Sequence, residues 1–312
     1  MKPFAFVFPG QGSQSVGMLD EWGDHPAVRR TLEEASAALA EDVGRLIREG
    51  PKEALELTTN TQPVMLTAAI ACLNAWRAEG GAEPAAVAGH SLGEYSALVA
   101  AGALTLADAL PLVRYRAQAM QEAVPVGAGA MAAILGLEAA AVKSVCDAVA
   151  AETGGVVSPA NFNDPKQTVI AGAKAAVDLA CEKLKAAGAK RALPLAVSAP
   201  FHCALMKPAA ERLRERLAEV AIAAPRIPVV NNIDVAVQTD PAAIRDALYR
   251  QAFGPVRWVE VVQALAARGL GHVFECGPGK VLAGLAKRVD GSLVSGTVLD
   301  PASLADLKGA LQ

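Results

Sequence analysis

A serine between two glycines, in the segment GHSLGE at residues 89–94, is the best-placed nucleophile in this chain. The segment has the pattern G-x-S-x-G centred on Ser91, after a short apolar run and before a predicted helix. Strand, sharp turn and helix in this order expose a serine hydroxyl beside the free N–H groups of the helix N-terminus. We hypothesise that Ser91 accepts an acyl group. A glycine-rich turn without catalytic function also fits these residues.

A serine nucleophile needs a base, and histidine is the side chain best suited to accept its proton. Of the four histidines, His25 lies beside a proline in a polar stretch and is expected at the surface. His272 opens a predicted strand, and His90 precedes Ser91 and should point away from it, which favours packing or an indirect role. The candidate base is therefore His202, in VSAPFHCALM, although a lone histidine more often serves packing.

Composition and charge exclude several classes of function. The 312 residues suffice for about two domains, and the net charge of -3 provides no overall basic field for nucleic acid or an anionic membrane. Five cysteines without C-x-x-C spacing predict neither a disulfide framework nor a zinc site, so we expect a reducing, cytoplasmic location. The N-terminal apolar run is too short for a signal peptide. The apolar stretch 96–113 is interrupted by polar residues and glycine, which predicts buried helix rather than a membrane span.

Two glycine-rich segments have the wrong spacing for nucleotide binding. In GQGSQSVG, residues 10–17, the third glycine comes too late for G-x-G-x-x-G. In GPGKV, residues 277–281, the lysine precedes valine instead of serine or threonine. Both segments are expected to be turns.

The order of predicted elements indicates an α/β fold. Apolar runs at 4–8 and 85–88 predict buried strands, separated by a helical pattern over 25–82. Such alternation favours a parallel sheet with helices on both faces. Further elements are expected as helices at 94–101, 206–220, 242–252, 259–268 and from 280, and as strands at 227–230 and 272–275.

Residues 126–197 follow a different order. Strands are predicted at 129–137, 156–161, 168–171 and 192–197, and helices at 138–152 and 174–187. This βαββαβ order is that of a ferredoxin-like unit. We therefore expect a ferredoxin-like insertion at 126–197 in a larger domain built from 1–125 and 198–312.

A series of short motifs runs along the whole chain. In order they are FVFPGQGSQ (6–14), TQP (61–63), GHSLGEYSAL (89–98), RYRAQAMQEAVP (114–125), SPANFN (158–163), SAPFHCALMKP (198–208), PVVNN (228–232), RQAFGPVRW (250–258) and GPGKVL (277–282). Together they resemble the malonyl-CoA:acyl carrier protein transacylase family of bacterial fatty acid synthesis. The resemblance implies an α/β-hydrolase-like core with a parallel sheet plus the inserted ferredoxin-like domain.

The resemblance also implies catalytic roles. Ser91 would be the nucleophile and His202 its general base. The N–H groups of Gln11 and Leu92 would form the oxyanion hole. A main-chain carbonyl near Gln251 would orient the histidine in place of an aspartate.

Further residues are implied for substrate recognition. Arg116 would hold the free carboxylate of the malonyl group through two parallel hydrogen bonds, whereas the sequence without the resemblance favours a solvated arginine on a helix. Gln62 and Asn161 would line the pocket. Phe201, directly before the implied base, is expected to leave little room for an α-methyl group and so to favour malonyl over methylmalonyl.

The implied activity is that of an acyltransferase, an [acyl-carrier-protein] S-malonyltransferase with ping-pong kinetics. Malonyl-CoA would acylate Ser91, and the phosphopantetheine thiol of acyl carrier protein would take the malonyl group. No metal, permanently bound cofactor, nucleic acid or membrane is implied. Acyl carrier proteins are acidic, so a basic patch is expected to receive them, with the candidates Lys190, Arg191, Lys207 and Arg212.

Three alternatives stay open at this point. A serine hydrolase or thioesterase uses the same elbow, but its order is Ser, acid, His with the histidine near the C-terminus, whereas His202 lies mid-chain. An acyltransferase for another unit such as methylmalonyl is the second. A carrier-protein binding module without catalysis is the third.

Overall fold

The computed structural model describes residues 2–312, which form two sheets with helices packed around them. The strands are β1 (Phe4–Phe8), β2 (Ala86–Gly89), β3 (Gly129–Leu135), β4 (Val157–Asp164), β5 (Gln167–Ala173), β6 (Arg191–Pro194), β7 (Val229–Val230), β8 (His272–Cys276) and β9 (Val294–Val298). The helices are α1 (Pro26–Leu39), α2 (Val43–Glu49), α3 (Lys52–Glu56), α4 (Thr58–Ala78), α5 (Gly93–Ala100), α6 (Leu106–Glu122), α7 (Ala139–Thr153), α8 (Lys174–Ala186), α9 (Lys207–Glu219), α10 (Pro241–Phe253), α11 (Trp258–Ala267), α12 (Val281–Val289) and α13 (Pro301–Leu311).

The first sheet is parallel and has the order β7-β2-β1-β8-β9. Side chains alternate across β1, so Phe4, Phe6 and Phe8 pack in the core that contains α4, α5 and α6. Ala5 and Val7 face the opposite core, formed with α11 and α12. Both faces are covered, which is why this strand is apolar at every position. The predicted α/β fold with a parallel sheet is confirmed.

The second sheet is antiparallel and has the order β4-β5-β3-β6. Helices α7 and α8 pack on one face, around side chains such as Ile134 and Ile170. Met131 and Ala171 lie on the other face and pack with Cys203 and Phe201 of the larger part of the chain. The βαββαβ order and this strand order are those of a ferredoxin-like unit. The domain boundaries at 126 and 197 stay a prediction.

Several local expectations need correction. The helical pattern over 25–82 comprises four helices, because Ala40 and Gly50 adopt positive φ and end α1 and α2, and the extended backbone of Leu57 separates α3 from α4. Strand β6 stops at Pro194, the last residue paired with β3 in the ladder; the N–H of Leu195 still donates to the carbonyl of Met131 on β3, and the expected strand does not continue to residue 197. The sequence did not predict β9, whose polar and glycine residues hide its strand character.

Two further expectations concern His25 and the apolar stretch 96–113. His25 is not simply a surface residue: its Nδ1 accepts a hydrogen bond from the N–H of Ala27 and caps α1, and its side chain is only 15% exposed. The stretch 96–113 forms parts of α5 and α6, separated by a turn at Gly102. Across residues 2–312, no helix combines the length and the apolar character needed to cross a membrane.

Candidate active site

Ser91 lies on the turn between β2 and α5, at the carboxyl edge of the parallel sheet. Its φ is 54°, in the left-handed region that non-glycine residues rarely adopt. A Cβ on Gly89 would lie 1.9 Å from the carbonyl of Gly93, and a Cβ on Gly93 would lie 2.1 Å from the carbonyl oxygen of Phe8. Both glycines of G-x-S-x-G are therefore required by the close approach of strand and helix.

His202 is the hydrogen-bond partner of the Ser91 hydroxyl. Ser91 Oγ lies 2.6 Å from His202 Nε2, and His202 Nδ1 lies 2.9 Å from the main-chain oxygen of Gln251. A carbonyl only accepts, so Nδ1 carries the proton and the Nε2 lone pair faces the serine. Burial and then the charge of Arg116 lower the pKa of His202 to about 3, which keeps the ring neutral at neutral pH and leaves the Nε2 lone pair free.

Arg116, on α6, is a buried cation beside the serine. Its side chain is 2% exposed, and its three hydrogen-bond acceptors are all neutral: Gln62 Oε1 at 2.7 Å, Gln251 Oε1 at 3.1 Å and Ser91 Oγ at 3.3 Å. Within residues 2–312, no carboxylate comes within ion-pair distance of the guanidinium. A buried charge is costly without a counterion, so this position is suited to bind an anion.

A cavity of about 140 Å³ opens in front of Ser91. Its walls come from both sheets and are formed by Gln11, Gln62, His90, Ser91, Leu92, Arg116, Met131, Asn161, Leu195, Val197, Phe201 and His202. The second sheet contributes Asn161 on β4 and Met131 on β3 to one side of the cavity. Every residue that the sequence implicates in catalysis or in binding the acyl group, apart from Gln251, therefore borders one cavity.

Two residues that line this cavity, Gln11 and Leu92, have a main-chain N–H without an acceptor among the described residues. Neither the N–H of Gln11 nor that of Leu92 donates to another atom of residues 2–312. The side chain of Gln11 turns aside to Thr58, whose hydroxyl lies 3.3 Å from Gln11 Nε2. Free N–H groups beside a nucleophile are the donors that an oxyanion needs.

Gln251 lies behind the cavity and joins its parts. The side chain is fully buried on α10, and its Oε1 accepts from Arg116 while its main-chain oxygen accepts from His202. Its Nε2 donates to the main-chain oxygen of Ser91 at 3.0 Å. The residue thus contacts the histidine, the arginine and the serine at once.

Two residues of the site were missed by the sequence analysis. The Oδ1 of Asn232 accepts from the N–H of Ser91, and its Nδ2 donates to the carbonyl of Gly89, each at 2.7 Å. Glu94, on the first turn of α5, accepts from Asn232 N and from Gln251 Nε2. Asn232 follows the short apolar strand β7, and polar residues at the carboxyl end of a parallel strand are a signal of a site.

The remaining candidates take indirect positions. His90 is buried, its Nε2 lies 2.8 Å from Asn163 Oδ1, and its ring packs at 5.3 Å from that of Trp258. Phe201 packs against the core and the second sheet while bordering the cavity. No group of three or more potential metal ligands occurs within residues 2–312.

Comparison with known proteins assigns the family. Residues 5–290 match the model of the acyl transferase domain. The chain is 55% identical to the malonyl CoA-acyl carrier protein transacylase of Escherichia coli K12 over 306 residues, which cover 98% of both chains. The chain belongs to the malonyl CoA-acyl carrier protein transacylase family. The resemblance inferred from the motifs is confirmed, and the protein is an acyltransferase.

Solved structures of this transacylase family share the fold. A crystal structure of the acyl-carrier-protein S-malonyltransferase of Burkholderia pseudomallei is 66% identical, with a TM-score of 0.96 over 98% of this chain and 99% of that one. A malonyl-transacylase in complex with a holo type II PKS acyl-carrier protein is 50% identical, with a TM-score of 0.95 over 97% of this chain and 98% of that one. The expected mixed α/β architecture is therefore confirmed.

Proposed function

We propose that this chain transfers a malonyl group from malonyl-CoA to the phosphopantetheine thiol of an acyl carrier protein through a malonyl ester of Ser91. The observation that carries the proposal is the unpaired guanidinium of Arg116, whose Nη2 lies 3.3 Å from Ser91 Oγ. An acyl group attached to Ser91 places its far end within reach of this cation. A malonyl group ends in a carboxylate, which a guanidinium binds through two hydrogen bonds.

The first half-reaction forms the ester. Ser91 Oγ attacks the thioester carbonyl of malonyl-CoA while His202 Nε2 takes the hydroxyl proton. The N–H groups of Gln11 and Leu92 stabilise the tetrahedral oxyanion. The C–S bond then breaks, and His202 returns the proton to the departing CoA sulfur. CoA leaves as a thiol, and the malonyl ester remains on Ser91.

The second half-reaction reverses these steps with another thiol. His202 takes the proton of the phosphopantetheine thiol, and the sulfur attacks the ester carbonyl. The C–O bond breaks and His202 returns the proton to Ser91 Oγ. The main-chain oxygen of Gln251 keeps the imidazole in the required tautomer throughout, because it accepts from Nδ1 at 2.9 Å.

Two walls of the cavity shape the acyl group. Asn161 and Phe201 border it beside Ser91, and Gln62 accepts from Arg116 and so helps to aim the guanidinium. Phe201 lies next to the expected position of the acyl α-carbon. It limits the space for an α-methyl group and thereby favours malonyl over methylmalonyl.

The carrier protein docks on basic residues that flank the cavity. Lys190 and Arg191 are exposed and lead along the chain to Leu195, which borders the cavity, and exposed Lys207 follows His202. Arg212 is less available, since it pairs with Glu122 at 2.7 Å. Five free cysteines suit the reducing cytoplasm, where such a carrier would be met.

Intact-mass analysis after incubation with malonyl-CoA tests the proposal. We expect a malonyl adduct on the wild-type protein and none on Ser91→Ala. Subsequent addition of holo acyl carrier protein should remove the adduct and yield malonyl carrier protein. Release of free malonate without an adduct would instead identify a hydrolase. Carrier binding that Ser91→Ala leaves unchanged, without any acyl exchange, would identify a binding module.

A further inference from the structure

Glu94 is a buried carboxyl group beside the active site that the proposed reaction does not use. Its side chain is 2% exposed and lies three residues after the nucleophile, on the first turn of α5. Its Oε2 accepts from the N–H of Asn232 at 2.9 Å and from Gln251 Nε2 at 3.0 Å. Both donors are neutral. Burying a carboxyl group among neutral partners costs free energy, which the hydrogen bonds from Asn232 and Gln251 must offset.

The first partner is the side-chain amide of Gln251. An amide has one donating and one accepting end, and the two ends have nearly the same shape. The Glu94 oxygen that receives two N–H groups acts as an acceptor, so it requires Nε2 of Gln251 to turn toward it. Oε1 is then left facing Arg116, at 3.1 Å from Nη2. Glu94 thus acts together with the main-chain oxygen of Ser91, which also accepts from Nε2, and with the guanidinium, which can only donate, to fix the orientation of the amide.

The second partner is the backbone of Asn232. Its N–H donates to Glu94, while its side chain accepts from Ser91 N and donates to the carbonyl of Gly89. Asn232 therefore forms hydrogen bonds within the turn at Ser91 and just before it, where the backbone of Ser91 lies in the left-handed region. A strained residue persists only where its surroundings hold it. By fixing the backbone of Asn232, Glu94 supports the conformation of Ser91.

We propose that Glu94 is a positioning residue that acts through Gln251 and Asn232. It aligns the main-chain oxygen of Gln251 that accepts from His202, the guanidinium of Arg116 and the serine elbow. The inference rests on the proposed transfer reaction. Burial raises the pKa of Glu94 to about 7, and the hydrogen bonds from Gln251 and Asn232 oppose this shift. The accepting role of Oε2 holds in both protonation states, since a proton can reside on Oε1.

The test compares Glu94→Ala with Glu94→Gln, using malonyl-CoA and acetyl-CoA as acyl donors. Glu94→Ala removes the oxygen that accepts both hydrogen bonds, and a misplacement of about 1 Å in a catalytic group costs up to about 100-fold in rate. We expect kcat for malonyl transfer to fall about 100-fold. The ratio of malonyl to acetyl kcat/KM should fall about tenfold, because only malonyl depends on the aim of Arg116. Glu94→Gln keeps an acceptor oxygen. Its kcat for malonyl transfer and its malonyl to acetyl ratio of kcat/KM should each stay within about fivefold of wild type.

Glu275→Gln is the matched control. Glu275 is also fully buried with a pKa raised to about 7, but it accepts from the N–H of Ala283 and supports α12 instead of the site. It should leave the malonyl to acetyl ratio unchanged. Thermal unfolding shows whether each variant is folded. The malonyl adduct of the wild-type protein is measured first, and it tests the transfer function independently of Glu94.

Two results would overturn the inference. One is a folded Glu94→Ala protein with the wild-type malonyl to acetyl ratio. The other is a Glu94→Gln protein that loses as much malonyl transfer as Glu94→Ala, because the acceptor oxygen would then be irrelevant. Should Glu94→Ala fail to fold, Glu94→Asp replaces it, since it shortens the side chain by one methylene and withdraws the acceptor. Wild-type kcat in Glu94→Asp would contradict the inference equally.

Discussion

Replacing Arg116 with alanine tests the recognition of the malonyl carboxylate. The guanidinium is 2% exposed and hydrogen-bonds only to neutral groups, so under the proposed function the malonyl carboxylate would supply its counterion. Removing one partner of a buried ion pair leaves an uncompensated charge and costs about 3–5 kcal/mol. At 1.36 kcal/mol per factor of ten, kcat/KM for malonyl-CoA should fall roughly 150- to 5,000-fold. Acetyl-CoA has no carboxylate, so its relative rate should rise.

Arg114→Ala is the control for this experiment. Arg114 lies on the same helix and pairs through both terminal nitrogens with Glu41 at 2.8 Å, where the Glu41 side chain is 48% exposed. Exposed ion pairs of this kind contribute about 0–1 kcal/mol to stability. The transfer rates of Arg114→Ala should therefore stay near those of wild type. The assay measures formation of the Ser91 adduct and steady-state transfer with both acyl-CoA esters. Retention of the malonyl preference by Arg116→Ala would refute the assignment of Arg116.

Four further predictions concern the site and its surroundings. Nitrogen NMR should find the His202 ring neutral down to about pH 5, because burial and Arg116 lower its pKa to about 3; titration near the ordinary value of 6.5 would contradict this. Arg116→Ala should raise that pKa, since a nearby cation is removed. Reversing the charges of Lys190 and Arg191 should slow transfer to the carrier protein about tenfold while sparing formation of the Ser91 adduct, and equal slowing of both would argue against docking there. Phe201→Ser should raise the rate with methylmalonyl-CoA relative to malonyl-CoA about tenfold, as one methyl group is worth about 1–3 kcal/mol in a pocket; equal wild-type rates for the two esters would refute the steric argument.

The elements of the fold were largely predictable because their signals are local. The apolar run at 4–8 and the βαββαβ order after residue 126 follow from hydrophobic patterns and turn residues, and the structure has strands at both places. Strand β9 and the end of β6 at Pro194 were not predictable in this way. Strand β9 lacks an apolar pattern, and β6 ends where its pairing with β3 stops. Pairing depends on a neighbour that is distant in sequence.

The serine elbow was determined by the sequence itself. Its glycines are required because a side chain at Gly89 or Gly93 would collide with backbone atoms of the turn or of β1. Elimination among the four histidines made His202 the candidate base, and the motif resemblance supported that role and added Arg116.

Only the tertiary structure decided how these parts are held. Gln251 and Asn232 reach the elbow from positions 160 and 141 residues beyond Ser91, and both meet on Glu94. A buried hydrogen-bond network has no periodicity in sequence, since its members are selected by direction and distance after the chain has folded. The same holds for the burial of Arg116 without a carboxylate of residues 2–312 in ion-pair contact, which turns an ordinary helical arginine into a candidate anion site.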